Sequence, residues 1–291
     1  MAHEENKQVD AHSPLTGLDK KFKVLDYGFV RLVDHMGSDA AIVQAARVSY
    51  GEGTKKVSED RALIRYLMRQ RHTSPFEMVE FKFHVKLPIF VARQWIRHRT
   101  ASVNEYSGRY SVMKEEFYIP DPKDIRFQST VNRQGRAEEE VPDELKRRFI
   151  DFLKKTHAAS YEEYQHLVKD GLARELARVG LPLSLYTEWY WKIDLHNLFH
   201  FLRLRLDPHA QQEIREYAKV MADIVKTVCP LAYEAFEDYI LNAVSFSGLE
   251  LKALREQLAD LSLSKEDLTA SGLSKRESEE LLQKLEKIKR S

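Results

Sequence analysis

The chain has 291 residues, 43% of them hydrophobic, enough for one large or two small domains with a real core. Its 46 basic and 45 acidic residues leave a net charge of +1, without the basic excess that general nucleic-acid binding needs. No apolar run approaches the roughly 20 residues of a membrane span, and the single cysteine, Cys229, excludes an internal disulfide and points to a reducing compartment.

Residues 1–21 read as a loose, polar arm. Glu4 and Glu5 fit neither a basic-then-apolar signal peptide nor an acid-poor transit sequence, so the expectation is a soluble, cytoplasmic protein. Two apolar runs, Phe22–Leu25 and Gly28–Val33, flank Asp26 and Tyr27 and read as a hairpin. Ser38 and Asp39 offer a cap for a helix over Ala40–Val48. A second helix runs from Ser58 to about Gln70, with Leu63, Ile64, Leu67 and Met68 on one face. Phe81, Phe83 and Val85 alternate with Lys82, His84 and Lys86, a strand pattern. Pro88 suits the first turn of a helix that ends near His98. Arg93 and Arg97 are spaced to share its face, and the chain then runs extended from Ser102 to Tyr110.

Pro120–Pro142 is charged and aperiodic and reads as a surface excursion. Glu144–Leu167 and Ala173–Val179 read as helices. Leu183, Leu185, Thr187, Trp189 and Trp191 alternate with polar neighbours, giving a strand with one greasy face. Asp194 caps a helix through Leu204, Pro208 starts a long helix ending before Pro230, and Tyr233–Val244 continues helical. Strands lie between helices with no regular βαβ repeat, so the class is α+β. Residues 246–291 differ in character. Ser274 and Glu277 form a capping box, and Leu281, Leu282, Leu285 and Ile288 make an apolar stripe. This helical extension suits packing on its own body or on a partner subunit.

The densest chemistry lies in Arg97–Tyr110, with three arginines, a histidine, two serines, an asparagine and a glutamate. Guanidinium forks and compact hydroxyl donors suit phosphate groups. A solvated cationic helix end is the bland alternative. The Arg97-His98-Arg99 triplet, followed after seven residues by Ser107, resembles the signature of the flavin-dependent thymidylate synthases. Ser102, Asn104, Glu105, Arg109 and Tyr110 extend the match. So do Ala46–Ser49, His72–Glu77, Phe90–Trp95 and Leu204–Gln211, and the likeness spans roughly Phe22 to Asn242. It makes residues 22–245 a catalytic domain with mixed helices around a central, mostly antiparallel sheet, assembled as a homotetramer.

The resemblance implies reductive methylation of dUMP to dTMP. Methylenetetrahydrofolate would supply the carbon, and FAD reduced by NADPH the hydride. It gives Arg205 the catalytic role, a fixed cation stabilising the ionised uracil nitrogen; an ion pair with Asp207 or Glu213 is the competing reading. dUMP contacts fall on Gln94, Trp95, Ile96, Arg97, Glu105, Tyr106, Ser107, Gly108, Arg109 and Arg178, besides Arg205. Ser107 is a phosphate donor here rather than a nucleophile, because no base adjoins it in sequence. Arg178 could instead compensate a helix end.

FAD contacts fall on Ser49, Ser74, Arg97, His98, Arg99, Glu105, Asp194, Leu195, His196 and His200, the last a position where some relatives carry asparagine. His72 is a possible flavin or folate contact, or structural. The chain has no Gly-x-Gly-x-x-Gly fingerprint, which disfavours a Rossmann-type flavin site. Cys229 reads as an ordinary helix-end thiol. His196 and His200 are four apart, but Asn197 stands where a metalloprotease motif has glutamate. A metal-dependent hydrolase is therefore a weak alternative, and a non-catalytic flavin- or nucleotide-binding protein is another.

Overall fold

The computed structural model describes residues 18–48, 57–130, 135–258 and 261–290. They divide into two compact units, Met1–Leu241 and Asn242–Ser291. The first is built on a five-stranded sheet with the order β1-β2-β3-β7-β4. These strands are β1 (Lys21–Val24), β2 (Gly28–Met36), β3 (Glu80–Pro88), β4 (Ser102–Glu105) and β7 (Tyr186–Asp194). Every pairing is antiparallel, so the expected α+β class with its antiparallel sheet holds.

Alternation decides which face is buried. Val30 and Leu32, then Phe81, Phe83, Val85 and Leu87, then Trp189, Trp191 and Ile193 all point into the core. Their neighbours Arg31, His84, Glu188 and Tyr190 form a polar lattice on the other face. There His84 stacks on Tyr190 at 4.8 Å and meets Glu188 at 3.1 Å. Leu183 falls outside β7 and is 62% exposed.

Helices cover the apolar face. They include α1 (Asp39–Arg47), α2 (Val57–Arg69), α3 (Ser74–Glu77) and α4 (Ile89–Trp95). They continue with α7 (Leu195–Arg205), α8 (Gln212–Val228) and α9 (Pro230–Phe236), followed by a π-helical turn at Glu237–Leu241. Trp95 is the hub of this core. Its ring lies 4.7 Å from Phe201, 5.2 Å from Trp191, 5.7 Å from Trp189 and 6.0 Å from Tyr217. Burying such a ring is worth on the order of 5 kcal/mol before entropy. That anchor fixes the chain immediately before Arg97.

Several expectations need correction. Pro88 is the last residue of β3 and the N-cap of α4, which stops at Trp95 rather than near His98. Arg97 therefore lies past the helix and does not share a face with Arg93. The extended run ends at Glu105, because Tyr110 and Ser111 turn back to donate to the Ser107 carbonyl. The segment read as a surface excursion contains a small hairpin, β5 (Arg126–Gln128) with β6 (Arg136–Glu140). After α5 (Asp143–Lys169) and α6 (Arg174–Ala177), the chain tightens into a 3-10 turn at Arg178–Gly180. The helix expected from Pro208 begins four residues later, and helical structure stops at Leu241 rather than Val244.

The second unit holds α10 (Gly248–Leu258), α11 (Lys265–Ala270) and α12 (Lys275–Arg290). The capping box is present: Ser274 N donates to Glu277 at 2.9 Å, and Glu277 N to Ser274 Oγ at 3.3 Å. Among the described residues no helix is long and apolar enough to cross a membrane.

Candidate active site

Two groups of polar side chains gather at opposite ends of β4. The first lies where α7 leaves the sheet. Asp194 takes both the backbone and the side-chain amide of Asn197, at 2.9 and 2.7 Å, and so starts α7. The helix then carries His196, His200, Arg203 and Arg205, while its other face buries Leu195, Leu198, Phe199, Phe201 and Leu202. His72, Arg71, Thr73, His196, His200 and Arg203 surround a cavity of about 300 Å³ whose floor includes Phe76, Phe199 and Phe236. Arg71 holds a left-handed backbone with φ of 60°, which glycine would adopt without strain. Amides 71 and 72 close the end of α2 onto Met68 and Leu67 at 3.1 and 2.9 Å. That closure places His72 among the residues lining the cavity.

His98 connects this cavity to Arg205. Its ring lies 5.9 Å from His200 and edge-on to Phe201 at 4.9 Å. Arg205 Nε donates to His98 Nε2 at 3.1 Å, so His98 is neutral with its proton on Nδ1. Burial, the Arg205 charge and His200 together push its pKa down to about 4. Burial first, then Arg203, His196 and Arg205, lowers His200 as well. Arg205 pairs with neither Asp207 nor Glu213. Asp207 is engaged by His209 at 2.9 Å, and Glu213 by Arg136 and Tyr118. Among the described residues Arg97, Arg99, Arg203 and Arg205 have no carboxylate partner. Such uncompensated charge suits an anionic ligand.

The second group is the turn after β4. Tyr106 N bonds to Glu188 O at 2.8 Å, and the Tyr106 hydroxyl donates to Val112 O at 2.9 Å. Glu105 accepts from Thr187 at 2.8 Å. Gly108 is buried, and a Cβ there would fall 2.7 Å from Met113 Sδ and 3.2 Å from Arg178 Cδ. Glycine thus lets the Arg178 side chain lie against the turn holding Ser107 and Arg109. Arg109 and Arg178 likewise have no carboxylate partner among the described residues. Ser107 Oγ takes only a long 3.4 Å contact from Arg109 N, and no histidine approaches it in the hydrogen bonds of the described residues.

The sequence-predicted residues fall into two contact groups. His72, His98, His196, His200 and Arg205 come together, as do Ser107, Gly108, Arg109 and Arg178. Gln94 sits in the last turn of α4, where it donates to Gln211, and Ile96 and Arg97 follow the end of that helix. Trp95 is fully buried, so its side chain belongs to the core. Asp194 spends its carboxylate on α7, and Leu195 is wholly buried. Ser74 is exposed at the start of α3, and Ser49 lies outside the described residues. Arg71 and Arg203 escaped the sequence reading, and Gln211 entered it only as the end of the Leu204–Gln211 match. The spacing of His196, His200 and Arg203 along one helical face was the available sign. Among the described residues no three His, Cys, Asp or Glu side chains are grouped to hold a metal ion. Cys229 is buried, and its thiol is raised by burial and by Asp39.

Residues 31–231 match the family model described as thymidylate synthase complementing protein. A flavin-dependent thymidylate synthase of Treponema denticola is 64% identical over 242 residues, spanning 83% of this chain and 91% of that protein. One from Wolbachia pipientis is 54% identical over 281 residues, spanning 97% and 96%. Crystal structures of a UMP/dUMP methylase, PolB, from Streptomyces cacaoi bound with 5-Br UMP and 5-Br dUMP are similar in fold. Their TM-scores are 0.68 and 0.69 at 36% and 35% identity, covering 76% of this chain and 97% and 99% of theirs.

Proposed function

The chain belongs to the flavin-dependent thymidylate synthase family, enzymes that methylate dUMP to dTMP, and on that premise we propose how its residues divide the work. The observation that carries the reading is Arg205: a guanidinium with no carboxylate partner among the described residues, held on a neutral histidine, in a chain whose one thiol is buried. A buried thiol with a raised pKa is a poor nucleophile. Activation of the pyrimidine therefore falls to fixed positive charge. Arg205 beside the ring nitrogen favours the ionised, enolate-like uracil and makes the neighbouring carbon nucleophilic.

The remaining roles follow from donor chemistry. Ser107, Arg109 and Arg178 hold the phosphate, and Gln94, Ile96, Arg97, Glu105, Tyr106 and Gly108 line the nucleotide, with Trp95 contributing through its backbone. The lining of the cavity suits part of FAD: its apolar side chains suit a flat ring, and its imidazole and guanidinium groups suit a polar edge or a diphosphate. His72, Ser74, His98, Arg99, His196 and His200, with Ser49 and the start of α7 at Asp194 and Leu195, would hold it. Bound FAD supplies the hydride, replenished by NADPH, while methylenetetrahydrofolate supplies the carbon.

The two groups are read as parts of sites that other copies complete in a homotetramer. Leu176, Val179 and Leu183, exposed by 58%, 77% and 62% beside Arg178, are apolar surface that a partner would cover. Residues 22–245 form the catalytic part, residues 246–291 a helical extension, and the free thiol suits the cytoplasm. The test is direct. Purified protein should be yellow, bleach with NADPH in the absence of air, and form dTMP when dUMP and methylenetetrahydrofolate are added. Light scattering should give four copies. Colourless protein that still makes dTMP would overturn the reading.

A further inference from the structure

Gln94 opens a directed chain of hydrogen bonds that ends on a buried charge. Its Nε2 donates to Oε1 of Gln211. Gln211 Nε2 donates to Glu213 Oε2 at 2.9 Å. Glu213 Oε1 accepts the Tyr118 hydroxyl at 3.0 Å and an N–H of Arg136. Glu213 is 1% exposed in the first turn of α8, and Gln211 is the N-cap residue of that helix.

The chain can run only one way. An ionised carboxylate accepts and never donates. The Gln211 vertex facing Glu213 must therefore be the NH2, and its other vertex the carbonyl. Gln94 must then offer its NH2 to that carbonyl. This leaves Gln94 Oε1 without a partner among the described residues. Burial alone would raise the Glu213 carboxyl. The Arg136 charge and the bonds from Gln211 and Arg136 outweigh burial and hold it below the ordinary value, so the polarity is fixed at neutral pH.

We infer that Glu213 is a positioning residue: through Gln211 it locks the Gln94 amide with its oxygen as a free acceptor, so that the site reads a hydrogen-bond donor on the pyrimidine nucleotide. The inference rests on the reading of Gln94 as a dUMP contact. The donor is the 3′-hydroxyl: the ring nitrogen, ionised against Arg205, keeps no proton to give. Arg136 brings β6 into the same circuit, so the small charged hairpin helps keep the amide in place.

Calorimetry on the flavin-loaded enzyme tests this with dUMP and 2′,3′-dideoxyuridine monophosphate, which lacks the 3′-hydroxyl. Gln94→Ala, Gln211→Met and Glu213→Gln are each expected to weaken dUMP about tenfold, the scale of one lost hydrogen bond to a fixed partner. The analogue lacking the donor that is read should bind weakly to the wild type and no more weakly to the variants. KM for dUMP should rise more than kcat falls. Gln211→Met leaves the Glu213–Arg136 pair intact, so it reports even if Glu213→Gln folds poorly. Parallel losses for both nucleotides in Gln211→Met and Glu213→Gln would reduce the chain to a structural prop and overturn the inference. So would unchanged dUMP affinity in both while Gln94→Ala weakens it. Unchanged dUMP affinity in Gln94→Ala would remove the underlying reading of Gln94, and the inference with it.

Discussion

Arg205 Nε donates to His98 Nε2 across 3.1 Å, so the guanidinium proposed to polarise uracil rests on a ring that must stay neutral. The acceptor nitrogen cannot hold a proton and the arginine at once. Protonating His98 would place two cations in contact and release the arm. His98 is itself pinned, edge-on to Phe201 and next to His200.

A pH dependence follows, and its sign is fixed. In the unfolded chain His98 protonates near 6.5, while in the fold its pKa is pushed down to about 4. Between those values the unfolded state binds the extra proton. Stability is therefore full above about pH 6.5, falls as the pH drops, and levels off below about 4. His98 is part-exposed, so screening limits its share to about 1–2 kcal/mol. Urea midpoints at pH 7.5 and 5 should differ more for wild type than for His98→Gln, which keeps an acceptor and does not titrate. Equal differences would show that His98 protonates as freely in the fold as in the unfolded chain.

Arg205→Ala should keep its yellow colour and its affinity for dUMP within a few fold, yet lose dTMP formation by at least 10²-fold, the scale of removing one electrostatic stabiliser. Arg205→Lys should recover little, because a lysine lacks the fork that meets His98 on one side and the pyrimidine on the other. Absorbance spectra and single-turnover dTMP formation check both points. Near-normal turnover in the alanine variant would take Arg205 out of the chemistry.

Cys229→Ala should leave turnover within about twofold. The thiol is fully buried between α8 and α9, and burial and Asp39 push its pKa up. Losing one sulfur atom from a packed core costs about 1 kcal/mol, visible in thermal unfolding. A folded Cys229→Ala enzyme that makes no dTMP would restore a thiolate mechanism.

Much of this was legible in the residues, and the misses have physical causes. Strands β3 and β7 declared themselves because each buries every second side chain. Strands β5 and β6 did not, since Arg136–Glu140 carries charge where alternation would show; the Arg126–Glu140 pair at 3.1 Å spans the two strands instead. Ser38 stands at the start of α1, but its side chain makes no capping bond. Asp39 instead accepts the amides of Leu231 and Ala232 at 2.8 and 2.9 Å, capping α9 far along the chain. Pro208 does not open α8, because Asp207 turns back to bind the His209 amide at 2.7 Å. The Arg97–Tyr110 segment stood out by its density of donors, while the roles of its residues came from the resemblance. Arg71 left no local pattern because it sits at a left-handed helix end, and Gln211 entered only as the end of the Leu204–Gln211 match, because its long-range amide chain has no local signature.

Gly108→Ala probes the second group of side chains. The new methyl would meet Met113 Sδ at 2.7 Å and Arg178 Cδ at 3.2 Å. Methionine can shift, but Met113 is buried in one cluster with Phe117, Tyr161 and Tyr164, so Arg178 moves too. The expected result is a KM for dUMP about tenfold higher, flavin content unchanged, and a stability loss of about 1–2 kcal/mol from overpacking. Arg178→Ala should match the KM effect without the stability loss. A Gly108→Ala enzyme with wild-type KM would show that Arg178 does not hold the nucleotide.

Asp194 separates a structural contribution from a ligand contact. Both carboxylate oxygens bond to Asn197, so removing them should act first on α7, the helix that carries His196, His200 and Arg205. Asp194→Ala is expected to lose about 1 kcal/mol of stability, the value of a helix cap, and to bind FAD more weakly. Asp194→Ser restores a capping oxygen and no charge. If the cap is what matters, serine recovers both stability and flavin content. If the carboxylate itself touches FAD, serine recovers stability while the flavin stays weakly held. Flavin titration beside thermal unfolding of the two variants distinguishes a residue that builds the site from one that forms part of it.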